Sequence, residues 1–170
     1  TGTIAVNASL TGHFVFSTLH TNDAPGAITR MVDMGVKPFL VAAATRCIIA
    51  QRLVRRICSK CIIPHKLTEG EIKALQLKPE VVESAMPMIG AGCKACEGNG
   101  YKGRMGIFEV MEIDNNLQRM IIDEKAVAEV REYAIAHDLM KTLRMDGINK
   151  VVSGMTTVEE VVRTTTSDEI

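Results

Sequence analysis

The sequence has no excess of charge of either sign. Its 170 residues contain 20 Lys and Arg and 20 Asp and Glu, so the formal net charge is zero. A strongly basic surface, of the kind that holds nucleic acid or an anionic membrane, is therefore excluded for the chain as a whole, although a local basic patch is not. We expect no nucleic-acid partner.

The sequence also lacks a secretory signal and an apolar run of about 20 residues, which a membrane span needs. Residues 1–22 contain no Asp, Glu, Lys or Arg, but Thr, Ser, Asn and His interrupt them throughout. This pattern is typical of the buried part of a soluble fold. Because the first residue is Thr1 rather than an initiator Met, we also expect the chain to be a piece of a longer protein.

The composition is that of an ordinary folded domain. Hydrophobic residues make up 46% and charged residues 24%, which excludes general disorder. A chain of this length can bury a sizeable core. The pattern predicts an α/β segment at 1–57, a Cys-rich insert at 58–100, and a final strand followed by helices at 101–170.

The first segment contains an apolar stretch that indicates a sheet. Residues 13–19 are β-branched and aromatic and are apolar on both faces around Val15, which predicts a strand buried on both sides, as in a parallel sheet covered by helices. Asn22 or Asp23 is expected to cap the helix that follows.

A second helix is predicted from Pro38 through Ile48. Cys47 occupies an apolar position of that helix, and a buried free Cys behaves as a small hydrophobe, so we expect it in the core. Strands are predicted at 53–57 and 104–113, and a capping box at Thr68 and Glu71 predicts a short helix inside the insert.

The insert contains two Cys-x-x-Cys pairs, separated by 31 residues. One turn of chain lets each pair bind the same ion, and four thiolates suit a tetrahedral structural zinc site. The gap exceeds the usual spacing of about 15–20 residues, so the intervening segment must loop out. Reduced thiols or two disulfides are the alternatives, and disulfides are disfavoured without a secretory signal. The predicted ligands are Cys58, Cys61, Cys93 and Cys96.

Two further features of the insert leave alternatives open. His65 follows Cys61 by four residues and could replace a ligand, although four thiolates already suffice. Residues 93–100 resemble the Cys-x-x-Cys-x-Gly-x-Gly unit of DnaJ-type chaperones, over eight residues. A zinc-stabilised protein-interaction or chaperone-like module is therefore an alternative function.

Two histidines flank the predicted buried strand. His13 lies at its start and His20 at its polar end, which is where α/β proteins bind ligands. His20 is therefore the better functional candidate, while a core or capping histidine is the alternative for both.

The segment 11–24, Thr-Gly-His-Phe-Val-Phe-Ser-Thr-Leu-His-Thr-Asn-Asp-Ala, resembles the "His box" of the secretion ATPases that power type II secretion and type IV pilus assembly. The resemblance covers essentially the whole chain. It favours the pilus-assembly or secretion motors over the retraction motors, which lack the four-Cys element. The other matching segments are 25–30, 33–35, 50–56, the four-Cys motif, 103–109 and 156–161.

The resemblance implies the C-terminal half of a RecA-like ATPase domain with a four-Cys zinc insert and a helical tail. The parent protein would be a homohexameric cytoplasmic ring that uses ATP and Mg²⁺ and acts through an inner-membrane platform protein, which associates it peripherally with the membrane.

The same resemblance assigns roles to individual residues. His20 is expected on the phosphate side of the nucleotide, and His13 with less direct contact. Arg104 is expected near the nucleotide. The basic cluster of Arg52, Arg55 and Arg56 is expected either on a solvated or structural face, or at a subunit interface or the nucleotide.

The sequence departs from the family in one respect. It contains no Gly-x-x-x-x-Gly-Lys-Ser/Thr motif and no acidic segment for Mg²⁺ and the catalytic Glu. We therefore expect a fragment of the motor that is inactive by itself.

Overall fold

The structure is a computed structural model that describes residues 2–165. Packing divides the described chain into two compact units. The first contains the described residues up to Ala50 together with Glu109–Lys141, and the second contains Gln51–Phe108 with the described residues from Thr142 onwards. The division into 1–57, 58–100 and 101–170 stays a prediction.

The chain is mixed α/β, as predicted. No helix in the described range has the length and apolar character that crossing a membrane requires. The helices are α1 (Gly2–Leu10), α2 (Ala24–Asp33), α3 (Pro38–Ala44), α4 (Glu69–Ala74), α5 (Pro79–Ser84), α6 (Asn115–Ile122), α7 (Val127–Ala136), α8 (Leu143–Val152) and α9 (Val158–Thr164). The strands are β1 (Cys47–Ile57), β2 (Ile62–Pro64), β3 (Met88–Gly90), β4 (Tyr101–Glu112) and β5 (Met140–Lys141).

The strands form two sheets. The larger has the order β1-β4-β5, and the smaller pairs β2 with β3. The β4–β5 and β2–β3 pairings are antiparallel: Val110 lies opposite Lys141 in the first, and Ile62 lies opposite Gly90 in the second. The sequence predicted a parallel sheet, and these two pairings differ from it.

The first unit packs its helices around one apolar core. Asp23 caps α2 as predicted, because its side chain accepts a hydrogen bond from the backbone N–H of Gly26. Helix α3 packs on α1 and α6, and α2 packs on α7. The core consists of Val6, Ala24, Ile28, Val36, Val41, Ala42, Ala50, Met111, Ile113, Leu117, Ile121, Val130, Ala134 and Met140.

The second unit contains two smaller apolar clusters. One joins α4 to α8 and α9, and the other joins the strands to the start of α8. The predicted capping box of Thr68 and Glu71 is present at the start of α4, and Thr157 caps α9. The clusters comprise Leu75, Val151, Val158 and Val161, and Val54, Ile107 and Leu143.

The predicted buried strand at 13–19 is wrong. Residues 13–20 have no regular secondary structure, and Phe14 and Phe16 are 80% and 87% exposed. A strand needs a neighbouring strand for its backbone hydrogen bonds, and none of the strands within residues 2–165 pairs with this segment. The two rings contact each other edge to face instead.

The helix predicted from Pro38 through Ile48 is too long. It ends at Ala44, and β1 begins at Cys47. Cys47 is therefore exposed at the start of a strand, not buried on a helix, which contradicts its predicted place in the core. Ile48 and the residues after it are β-branched and basic, and they continue as one long strand up to the insert.

A buried carboxylate, Glu160, ties α9 to β1 in the second unit. Its side chain is fully buried and accepts hydrogen bonds from the Arg55 backbone N–H at 2.7 Å and from Arg55 Nε at 2.9 Å. Arg163 Nη2 donates to the same group at 2.9 Å. Burial acts to raise the pKa of Glu160, but the hydrogen bonds from Arg55 and Arg163 outweigh it, and the pKa lies below its usual value.

We expect Glu160→Gln to destabilise the chain by about 2 kcal/mol, because the amide cannot pair with both guanidinium groups. Chemical unfolding monitored by circular dichroism measures this loss, and the exposed neighbour provides the control, Glu159→Gln. A carboxylate whose pKa is lower in the folded than in the unfolded state stabilises the fold at pH values above its unfolded pKa, which is about 4.3 for Glu. That stabilisation is lost as the pH falls through the folded-state pKa. The difference between wild type and Glu160→Gln should therefore shrink in acid. Equal stability of the two Gln variants at pH 7 would contradict the assignment.

Candidate functional site

The four predicted cysteine ligands lie together in the second unit. Their Sγ atoms are all within 4.8 Å of one another. The separations are 4.0 Å for Cys58–Cys93 and 3.8 Å for Cys61–Cys96 and Cys93–Cys96. Sulfur ligands about 2.3 Å from a tetrahedral ion stand about 3.8 Å apart, so the spacing suits a four-thiolate metal site. All four are free thiols, which disfavours the disulfide alternative.

Each Cys pair forms a tight turn that points both sulfurs the same way. The backbone N–H of Cys61 donates to the Cys58 carbonyl, and that of Cys96 donates to the Cys93 carbonyl, both at 3.2 Å. Glu97 then adopts a left-handed conformation with φ of 52°. The sequence predicted this local geometry because two intervening residues suffice for one turn.

β2 and β3 form a long hairpin, with α4 and α5 in its connection, that closes the gap between the two Cys pairs. It starts directly after Cys61 and returns the chain just before Cys93, so the intervening residues loop out as expected. The hairpin lies against the second turn: a Cβ on Gly90 would stand 2.0 Å from the carbonyl oxygen of Gly100. Glycine is required at this close backbone approach.

The pKa values of Cys96 and Cys61 are shifted in opposite directions. The backbone N–H of Cys93 donates to Cys96 Sγ and is the main reason that the pKa of Cys96 is lowered to about 6. Burial raises the pKa of Cys61 to about 12. The cluster therefore offers at least one thiolate at neutral pH, which is the form that binds metals.

His65 is not part of the cysteine cluster. Its Nε2 pairs with Glu71 Oε2 at 3.0 Å, and Glu71 also closes the capping box of α4 through the backbone N–H of Thr68. The pKa of Glu71 is lowered: burial opposes the shift, but the hydrogen bonds from Thr68 and His65 outweigh it. His65 therefore fastens α4 to the chain that follows β2.

The two histidines of the predicted strand are exposed in the first unit. His13 Nδ1 lies 3.3 Å from the Thr11 hydroxyl, and its backbone N–H extends the end of α1 by donating to Ala8. His20 stands three residues before Asp23, the cap of α2. Both side chains are accessible to a ligand, although the strand that was expected to carry them is absent.

The predicted arginine cluster is divided between the two faces of β1. Side chains alternate along a strand, so Arg55 lies on the opposite face from Arg52 and Arg56. Arg55 and the predicted Arg104 line one cavity of about 580 Å³, together with Leu53 and Arg163. The structure thus joins two of the four predicted arginines.

Sequence reasoning missed the residues that orient Arg55. Its guanidinium lies 4.0 Å above the ring of Tyr101, and its backbone carbonyl accepts from the Thr156 hydroxyl at 2.8 Å. The sequence analysis assigned no role to Glu160 or Arg163. Their signal was the repeated Thr and Glu pattern at 156–160, but the partner on β1 is about a hundred residues away in sequence.

The chain matches a family model described as "Type II/IV secretion system protein" over residues 1–163. It is 44% identical over 165 residues to the type IV pilus assembly ATPase PilB of Thermus thermophilus, which covers 97% of this chain and 18% of that protein. It is 42% identical over 169 residues to PilB of Myxococcus xanthus, with 99% and 30% covered. The type II secretion system protein E of Pseudomonas aeruginosa is 44% identical over 167 residues, with 97% and 32% covered.

The fold resembles a solved motor structure. A crystal structure of the pilus retraction motor PilT with bound ADP superposes with a TM-score of 0.62 at 20% identity, over 98% of this chain and 36% of that one. At this identity the likeness shows the fold alone.

These relatives are proteins of the type IV pilus assembly and type II secretion systems. The chain belongs to the type II/IV secretion system protein family. It spans a third or less of the length of these curated relatives. A separate zinc-stabilised interaction or chaperone-like module is not favoured, because the match extends far beyond the eight residues that resemble DnaJ-type chaperones.

Proposed function

We propose that this chain is part of a motor that hydrolyses ATP to power type IV pilus assembly or type II protein secretion. The observation that carries the proposal is the match over nearly the whole chain to proteins of both systems, two of which are described as ATPases. The parent motor would be a homohexamer in the cytoplasm that acts on an inner-membrane platform protein. The resemblance of the sequence to the secretion ATPases supports this oligomeric state, location and partner.

The four-Cys cluster would hold one structural Zn²⁺. The sulfur separations and the donor set support this identity, since a closed shell of four thiolates is typical of structural zinc. The ion would cross-link the two turns at either end of the insert. It would leave no position for a reacting water, so its contribution is to stability and not to hydrolysis.

His20 and Arg104 would act on the nucleotide of the parent motor, which uses ATP with Mg²⁺. An exposed imidazole donates a hydrogen bond to a phosphate oxygen whose charge increases during transfer. Arg104 is exposed beside Arg55, and it offers a second donor. Arg55 is already engaged by Glu160, so we assign it to orienting this surface, with Arg52 and Arg56 on the other face at a subunit interface. His13 is assigned a lesser role near the phosphates.

The purified chain should contain about one zinc per chain. Each Cys→Ser change at 58, 61, 93 or 96 should lower the zinc content, whereas Cys47→Ser should not, because Cys47 is exposed in the first unit. Elemental analysis measures the metal. Chelation should make the chain between Lys60 and Glu97 the first site of proteolysis. Full zinc content in any of the four Ser variants would show that the ligand set is wrong.

In the parent motor, His20→Ala should lower kcat by on the order of 100-fold and change KM for ATP little, because the lost contact forms mainly in the transition state. Steady-state ATP turnover measures both constants, and the exposed His137→Ala is the control. The same variant in cells should lose either surface pili or the secreted proteins, and the process lost identifies the system. A normal kcat would show that His20 has only a structural role.

The 170 residues alone should show no ATPase activity and little ATP affinity. The backbone cradle and Lys that hold the phosphates are not encoded in them, and exposed arginines make only solvent-screened contacts. Calorimetric titration with Mg-ATP tests this expectation. Micromolar binding that His20→Ala abolishes would show that the nucleotide site lies within this chain.

A further inference from the structure

The N-terminal end of α2 is fixed by two carboxylates from different parts of the first unit. Asp23 Oδ1 accepts from the backbone N–H of Gly26 at 2.8 Å and caps the helix. Glu109, on β4, reaches the same turn: its Oε1 accepts from the backbone N–H of Ala24 at 2.6 Å. The Thr21 hydroxyl also donates to the Asp23 carbonyl, at 2.9 Å. The first turn of α2 is therefore anchored on both sides.

Arg131, on α7, joins the two carboxylates. Its Nη2 donates to Asp23 Oδ2, and its Nη1 lies 3.8 Å from Glu109 Oε2. The Glu109 side chain is 2% exposed, whereas Asp23 and Arg131 are 29% and 28% exposed. A buried carboxylate needs a counter-charge, and a planar guanidinium offers it together with donors in a fixed fork that can reach two acceptors. The network consists of Asp23, Glu109 and Arg131.

The anchored turn is also the end of the segment that carries His20. Residues 13–21 have no regular secondary structure, so the first turn of α2 is the ordered element nearest to His20 on its C-terminal side. Three residues of chain reach at most about 11 Å, so the anchored turn limits how far His20 can lie from Asp23.

We propose that Glu109 and Arg131 are positioning residues, which hold the start of α2 and thereby set where His20 stands. The inference rests on the role proposed above for His20. It assigns a function in the motor to a β4 carboxylate and an α7 arginine that are distant from His20 in sequence. A misplacement of about 1 Å at a reacting group lowers rates by up to about 100-fold, so loss of the anchor should be visible in turnover.

The position of His20 can be measured in this chain by NMR. Arg131→Met removes the charge, and Arg131→Lys keeps the charge but loses the fork that bridges the carboxylates. Both should shift the His20 imidazole signals and the backbone amide signals of residues 20–23, and leave the His65 imidazole unchanged. The control is Arg119→Met, which removes an exposed arginine of α6 in the same unit. Signals of residues 20–23 that match the control in both variants would overturn the inference.

Turnover in the parent motor separates positioning from stability. Arg131→Met and Glu109→Gln should each lower kcat about tenfold with KM for ATP little changed, and Arg131→Lys should lower it less. Arg119→Met should match the parent. Melting temperatures are recorded for all variants, because a purely structural role moves them without moving kcat. If Arg131→Met does not fold, Arg131→Lys carries the test.

The two proposals fail in distinguishable ways. If His20→Ala lowers kcat but the folded Arg131 and Glu109 variants turn over normally, the positioning role is wrong and the role of His20 stands. If His20→Ala itself turns over normally, the role of His20 is wrong, and the positioning role falls with it.

Discussion

Each of the two units is organised around a carboxylate that has been taken out of water. Glu109 is buried in the first unit and Glu160 in the second, and burial of an uncompensated charge costs several kcal/mol. Both side chains accept from a backbone N–H and lie beside a guanidinium group, Arg131 and Arg55 respectively. Each pairing fixes one helix against one strand: the start of α2 against β4, and α9 against β1. The orientation of the exposed groups on these elements follows from the buried pairs.

The cysteine cluster depends on a different constraint, the close approach of two backbones. The Cys-x-x-Cys turns bring sulfurs together in pairs, but a tetrahedral site needs the pairs to meet. The β2–β3 hairpin brings them together, and it leaves room only for glycine where Gly90 lies against Gly100. The ligand set is therefore encoded locally, whereas its closure depends on a contact between residues that carry no metal-binding group. Cysteine spacing alone identifies such a site without describing how it closes.

A feature could be predicted from this sequence when the residues that form it lie close together in the chain. The caps at Asp23 and Thr68 and the cysteine cluster were predictable, because each depends on residues within a few positions or on donor chemistry. The prediction of a strand at 13–19 was wrong, because an apolar run becomes a strand only when a neighbouring strand pairs with it. Cys47 was misplaced because the helix before it ends four residues earlier than the apolar period suggests. The carboxylate partners escaped notice because the pairs span more than eighty residues.

In the proposed mechanism, the exposed donors and the buried ion pairs have different tasks. The candidate donors, His20 and Arg104, lie on the surface, where a single side chain has many accessible rotamers and little fixed direction. A donor stabilises a transition state only when its direction is set before the reaction begins. Here that direction cannot come from the segment 13–21, which has no regular secondary structure. For His20 the proposed source is the nearest ordered element on its C-terminal side, the first turn of α2, which accepts its anchor from the buried Glu109. In the mechanism proposed above, the residues that determine the chemistry are therefore not confined to those that touch the nucleotide, because a buried ion pair also sets where a donor stands.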